Sequence, residues 1–239
     1  MTTEKNTQLF SSVLALTIHD IKNSLALLLD KVEEMQNECD MAAGKATQSK
    51  YEVRRINHNL VRLLGLYKIG ASQYAPAFDF HDVSDLLDEV ASDYREMLTG
   101  RKINIDVECN AELQGRFDKQ LMFSILENAL NNASRYAKTR IRVSAQQEDD
   151  WVNIRVEDDG GGFPPHLLEL NNDDSGETPF NAISGNTGLG FYFASVAADL
   201  HQAQGNVGYF ELVNGGLFGG GQFVIHLPQE KDTGFDFDF

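Results

Sequence analysis

The sequence predicts a fold in two unlike parts. An α-helical hairpin that pairs with a second copy into a four-helix bundle comes first, and an α+β two-layer sandwich follows. Three observations predict this. Residues 7–42 contain neither proline nor glycine and carry apolar residues at heptad spacing. The first proline, Pro76, falls in ASQYAPAFD (71–79) and breaks the helical pattern. Beyond it, helical and alternating periods mix over the remaining chain.

The hairpin comes first in the chain. Leu14, Ile18, Ile21, Leu25, Leu28, Val32 and Met35 recur at spacings of four and three, which is a bundle seam. MAAGKATQ (41–48) reads as a short helix-to-helix loop around Gly44. A second helix follows, with Val53, Ile56, Leu60, Leu63 and Tyr67 on one stripe. A lone hairpin buries too little surface, so the seam predicts a homodimer. The domains are then 1–72 for the hairpin and 73–230 for the sandwich, with an acidic and aromatic tail at 231–239 read as disordered.

Within the sandwich, DVSDLLDEVASDYREML (82–98) reads as a helix with Asp82 as N-cap. INIDVEC (103–109) alternates like a strand. DKQLMFSILENALNNASRYA (118–137) is a strongly amphipathic helix. TRIRVSA and WVNIRVED read as strands and GLGFYFASVAADLH (188–201) as a helix. NVGYFELV (206–213) and GQFVIHLP (221–228) close the domain as a hairpin through a glycine-rich turn.

Composition excludes several classes. The net charge of −16 argues against a general nucleic-acid binder, which needs clustered Lys and Arg. No apolar run approaches the roughly 20 residues that cross a bilayer, and MTTEKNTQLF lacks the basic-then-apolar order of a signal peptide. Cys39 and Cys109 have no metal-ligand spacing and fit a reducing compartment. A cytoplasmic protein without membrane insertion is expected.

Three segments carry chemistry. On the helix at 118–137, Met122, Ile125, Leu126, Ala129, Leu130 and Ala133 form the apolar face, and Ser124, Asn128, Asn131, Asn132 and Arg135 gather opposite. Asparagine is a mediocre helix former, so three in five positions needs a reason. Amide oxygens for a metal ion beside a cation for phosphate oxygens supply one; a solvated polar face is the plainer alternative. In VEDDGGGF (156–163) a strand ends at Asp158 before glycines 160–162. That carboxylate can accept a purine amino hydrogen, or the segment is simply a tight turn. In SGNTGLGF (184–191), Gly185, Gly188 and Gly190 free backbone N–H groups at a helix start, as in a phosphate cradle. A fourth feature is His19 in LTIHDIKNSL (16–25), beside Asp20 and one turn before Asn23. With the seam at positions a and d, His19 falls at b and Asn23 at f, on the outer face.

Taken in order, these segments resemble the sensor histidine kinases of two-component systems. Asn128-x-x-x-Asn132 with Arg135-Tyr136 is similar to the N box of the GHKL ATP-binding superfamily. Asp158-x-Gly160-x-Gly162 resembles its G1 box, Thr178-Pro179-Phe180 its F box, and Gly188-Leu189-Gly190 its G2 box. His19-Asp20-Ile21-Lys22-Asn23 resembles the H box. The resemblance runs from about residue 8 to 228.

The resemblance implies a protein-histidine kinase with ATP and Mg2+ as cofactors. Asp158 would receive the adenine amino group, Asn132 and Asn128 would hold Mg2+, Arg135 would help with phosphate charge, Tyr136 would line the site, and the Gly188–Gly190 backbone would cradle phosphate. His19 would attack the γ-phosphate with help from Asp20 and pass the phosphoryl group to a response regulator receiver domain. Asn23 would orient a water that dephosphorylates that regulator. Ser24 stands where many relatives have proline. Water-using GHKL ATPases carry a glutamate at the position of Asn128; Glu127 is one residue off, about 100° around the helix. His19 lies within twenty residues of the start, so the expectation is either a fragment of a longer protein or, the reading preferred here, a separate sensor protein acting in trans. The rival readings are a degenerate relative that relays phosphate without using ATP, and a GHKL protein kinase that inhibits a bound partner. His58, His81, His166, His201 and His226 are read as incidental.

Overall fold

The computed structural model describes residues 43–99, 101–169 and 188–230, together with Ile21 and Leu28. The chain divides into two compact units, Met1–Tyr74 and Ala75–Phe239.

In the first unit, helix α1 spans Ala43–Gly70. It therefore begins inside the segment read as a loop. Ala43, Lys45, Ala46 and Gln48 are good helix formers, and one glycine at position 44 costs only about 1 kcal/mol in a helix. The expected stripe is split: Val53 is buried, Leu60 and Tyr67 are half-buried, and Ile56 and Leu63 are exposed. Ile21 and Leu28, both helical, are exposed as well. The other residues of the expected first helix, with His19, Asp20 and Asn23, lie outside the described residues, as do the 170–187 segment with Phe180 and the tail 231–239.

The second unit begins with a pair that sequence patterning did not show. Strands β1 (Phe78–Asp82) and β3 (Gln114–Asp118) pair antiparallel. Between them run helix α2 (Val83–Thr99) and strand β2 (Asn104–Cys109). Helix α3 (Lys119–Tyr136) leads to strands β4 (Arg140–Glu148) and β5 (Trp151–Asp158). After the single-turn α4 (Pro165–Leu168) come α5 (Gly188–Asp199), the two-residue strands β6 (Gln202–Ala203) and β7 (Asn206–Val207), then β8 (Tyr209–Asn214) and β9 (Gly221–Pro228). The main sheet has the order β2-β4-β5-β9-β8. Among the described strands of this sheet, only β2 and β4 pair in parallel.

Alternation sorts the sheet into two faces. Ile141, Val143, Ile154, Val156, Phe223 and Ile225 point inward and are buried under the helices, against Leu86, Leu87, Ile125, Leu126 and Phe191. Arg142, Arg155, Glu157 and His226 fall on the other face. The run expected as one strand at 206–213 breaks at Gly208, where an added Cβ would stand 2.7 Å from the Ala198 carbonyl oxygen. Asp82 directly precedes α2, but its Oδ1 accepts from Gln114 Nε2 at 3.1 Å, and the first helical N–H, on Val83, bonds Leu113 O at 2.9 Å.

Candidate functional site

The site is built around α3, which Asp118 holds in place. Asp118 is the N-cap: its Oδ1 accepts from Leu121 N at 3.0 Å. Its Oδ2 accepts from Ala77 N at 2.8 Å. Its own N–H donates to His201 Nε2 at 3.2 Å, and His201 Nδ1–H donates to Ala197 O at 2.8 Å. These two bonds fix His201 as the neutral Nδ1–H tautomer. Burial pushes its pKa down, in keeping with that state. One aspartate thus ties the start of α3 to β1 and to the end of α5.

The apolar face of α3 is buried as the sequence predicts. The polar side differs. Asn128 is only 3% exposed, because α5 covers it. A Cβ on Gly190 would overlap the Asn128 carboxamide, so only glycine lets α5 approach here. Asn128 Nδ2 and Asn132 Nδ2 are both buried without a hydrogen-bond partner. Unpaired buried amides in a native core are rare and point to a missing ligand. Each amide can present its nitrogen to a phosphate oxygen or, turned over, its oxygen to a cation. The donor set therefore fits a metal–phosphate group. Arg135 and Tyr136 are exposed, with the Arg135 guanidinium 5.6 Å from the Tyr136 ring centre.

Asp158 ends β5 on the inner face and is 7% exposed. Its Oδ1 accepts from Gly160 N at 2.7 Å and, more weakly, from Gly221 N at 3.5 Å. Burial raises its pKa; those two amides work against the shift and neighbouring Asp159 adds to it. A Cβ on Gly160 would stand 2.6 Å from both Asp158 Oδ1 and Tyr136 O. Asp159 does different work. It takes Lys138 N at 2.7 Å, Thr139 N at 3.0 Å and Thr139 Oγ1 at 2.6 Å. Burial disfavours its charge, but these bonds overcome that and hold its carboxyl well below the usual range. It clamps the end of α3 to the end of β5.

Between these parts lies a cavity of about 320 Å³, bounded by Asn132, Tyr136, Asp158, Phe163, Phe191 and Phe223 among others. It combines an apolar interior with a few convergent polar groups, as small-molecule sites do. A larger open hollow of about 870 Å³ lies on the other face of the sheet. Its buried Glu157 is already bonded by Arg142 at 2.6 Å and by Leu217 N at 3.1 Å. No polar atom there is left buried and unpaired among the described residues, so the smaller cavity is the stronger site.

The structure brings Asn132, Tyr136, Asp158 and Gly162 to that cavity, with Asn128 against Gly190 beside it. Gly188 opens α5 and Leu189 is half-buried. Glu127 does not line the cavity. Phe163, Gly221 and Phe223 do, without a signal in the sequence, and so does His166, which the sequence reading takes as incidental. Only their position next to the glycine runs could have flagged Phe163 and Gly221. Among the described residues no three His, Cys, Asp or Glu side chains gather as a metal site, and no helix is long and apolar enough to cross a membrane.

Comparison with known proteins agrees with this geometry. Residues 117–231 match the family of histidine kinase-, DNA gyrase B- and HSP90-like ATPases. The virulence sensor histidine kinase PhoQ of Salmonella typhi is 29% identical over 147 residues, covering 61% of this chain and 30% of that protein. The sensor protein PhoQ of Escherichia coli (strain K12) is 25% identical over 155 residues, 64% of this chain and 31% of that one. The chain thus spans about a third of the length of these relatives. Among solved structures, full-length ShkA in complex with AMPPNP superposes with a TM-score of 0.60 at 19% identity, over 91% of this chain and 45% of that one. The Acinetobacter baumannii histidine kinase AdeS gives 0.56 at 14% identity, over 87% of this chain and 96% of that one. These superpositions show a shared fold. Residues 117–231 thus match the histidine kinase-, DNA gyrase B- and HSP90-like ATPase family, and the chain is similar in sequence to sensor histidine kinases over 61–64% of its length.

Proposed function

We propose that the protein is an ATP-dependent histidine kinase that phosphorylates its own His19 and passes the phosphoryl group to an aspartate of a response regulator. The observation that carries this reading is the pair of buried, unpartnered amides on Asn128 and Asn132, set beside the Asp158 cavity. Asp158 accepts the adenine amino hydrogen bond. Asn132 and Asn128 would hold Mg2+, and Arg135 meets phosphate charge from the rim. Mg2+ held there would supply charge neutralisation to the phosphate oxygens. The first-turn N–H groups of α5, at Gly188, Leu189 and Gly190, supply further donors. In the transfer, an imidazole nitrogen of His19 forms the P–N bond while the bond from the γ-phosphorus to the β,γ-bridging oxygen breaks, and ADP leaves. Asp20 takes or orients the other ring proton. Asn23, one turn on, positions water for dephosphorylating the regulator. Exposed Ile21, Leu28, Ile56 and Leu63 support pairing of the helical unit with a second copy.

Incubation with γ-labelled ATP and Mg2+ tests this. Acid-labile label is expected on the wild type and on neither His19→Gln nor Asn132→Ala. Acid-stable label, or label on His19→Gln, would overturn the assignment. A relative that relays phosphate without ATP would take no label and bind no ADP.

A further inference from the structure

Phe163, immediately after the Asp158–Gly162 segment, is held from two sides by one rung of the β8–β9 ladder. Asn214 and Gly221 are cross-strand partners. From one side, Asn214 Oδ1 accepts from Phe163 N at 2.7 Å and its Nδ2 donates to Phe163 O at 2.8 Å. This is a two-point amide clamp on a single residue's backbone. The clamp needs the preceding residue to be glycine. Gly162 has φ +78°, and a Cβ there would stand 2.7 Å from Asn214 Oδ1. From the other side, Gly221 makes room for the ring: a Cβ on it would stand 3.0 Å from Phe163 Cε2 and 3.2 Å from Asp158 Oδ2. The seated ring lines the cavity and meets Phe191 edge to face, with centroids 6.1 Å apart and planes at 74°.

We propose that the Asn214–Gly221 rung is the seat that fixes Phe163 as a wall of the nucleotide cavity, which makes Asn214 a positioning residue for nucleotide binding. The inference rests on the nucleotide reading above. Asn214 does its work from outside the cavity, through Phe163. An amide suits the task because it carries a donor and an acceptor on one rigid plane, matching the N–H and C=O of one residue. Asparagine is thus a specific requirement at 214, and loss of its side chain frees both the backbone of Phe163 and its ring.

The test is a double-mutant cycle in the full chain, read as the affinity for ADP with Mg2+ by calorimetry. Asn214→Ala is expected to weaken ADP about 10-fold, within the range of coupled contacting residues. Phe163→Ala weakens it by a similar factor, and the double variant binds no more weakly than Phe163→Ala alone. A general loosening of the fold would instead multiply the two effects, and multiplied effects would overturn the proposal. Thermal unfolding of each variant confirms that binding is measured well below its midpoint. Gly221→Ala, whose Cβ presses on the Phe163 ring and on Asp158 Oδ2, is expected to weaken ADP too. Wild type that binds ADP beside an Asn214→Ala variant of unchanged affinity refutes the seat alone. Wild type that binds no ADP refutes the nucleotide reading, and the seat with it.

Discussion

Two glycine-rich segments meet over Asp158, and they differ in how they could be recognised. DDGGGF (158–163) has a recognisable spacing. NGGLFGGG (214–221) reads only as a hairpin turn, yet it crowds the same carboxylate as closely. In the first segment Gly160 is indispensable, whereas a Cβ on Gly161 would meet nothing within 4 Å. In the second, a Cβ on Gly220 would overlap Asp158 O and stand 2.6 Å from Gly160 N. Gly215 and Gly219 adopt φ of +105° and +77°, so the turn itself calls for them. A glycine inside a motif is found by spacing; a glycine that serves the motif from another strand is found only by contact.

Substitutions in and around the two segments should differ in effect. The largest effect is expected at Asp158. Asp158→Asn keeps an oxygen for Gly160 N but offers the base an amide, and ADP affinity falls about 100-fold by titration, the cost of a lost buried acceptor. Stability moves the other way. Because the folded-state pKa is raised, the ionised carboxylate destabilises the fold as pH rises above the ordinary carboxylate range. The variant's melting temperature at neutral pH is therefore equal to or above that of the wild type, and a lower one would contradict this account.

Next comes Gly220→Ala in the second segment. Its clash is with backbone, which cannot step aside, so urea unfolding should show a loss of about 1–3 kcal/mol, the usual cost of overpacking. If it is neutral, the two segments are less tightly joined than their contacts indicate. Asp159→Asn removes part of the clamp on residues 138–139 and costs about 1 kcal/mol. The direction of its pKa shift sets the pH window. A depressed carboxylate stabilises fully above about pH 4 and loses that contribution as pH falls further, so the difference between variant and wild type should shrink in acid. The smallest effect is expected at Gly161→Ala: within about 0.5 kcal/mol in stability, with ADP affinity unchanged. A large effect there would mean that the spacing matters in itself.

Strongly periodic elements were legible in the sequence. The face of α3 from Met122 to Ala133 and the alternation in β4, β5 and β9 each carry enough apolar residues to declare themselves. β1 and β3 did not: FDFHD and QGRFD are five residues each and make sense only as each other's partner. Short-range signals also misled. Gly44 suggests a loop where better helix formers prevail, and Asp82 has the place of a cap while its carboxylate is held by Gln114. At the candidate site, residue types pointed to Asn128, Asn132 and Asp158, but not to burial. Asn128 looks solvent-facing on a helical wheel and is covered only because Gly190 lets another helix close over it. Phe163 and Asn214 are ordinary residues whose importance is purely relational.

The grip of Asp118 on Ala77 bears on how the molecule is dissected. A cut made at the start of α2, where the globular helix pattern begins, would strip away β1 and leave β3 with an unpaired edge. It would also take the amide that satisfies one oxygen of a 3%-exposed carboxylate. A fragment beginning at Ala75 keeps all three. A stand-alone ATPase fragment should therefore start there, in front of the strand that a motif search would discard as linker.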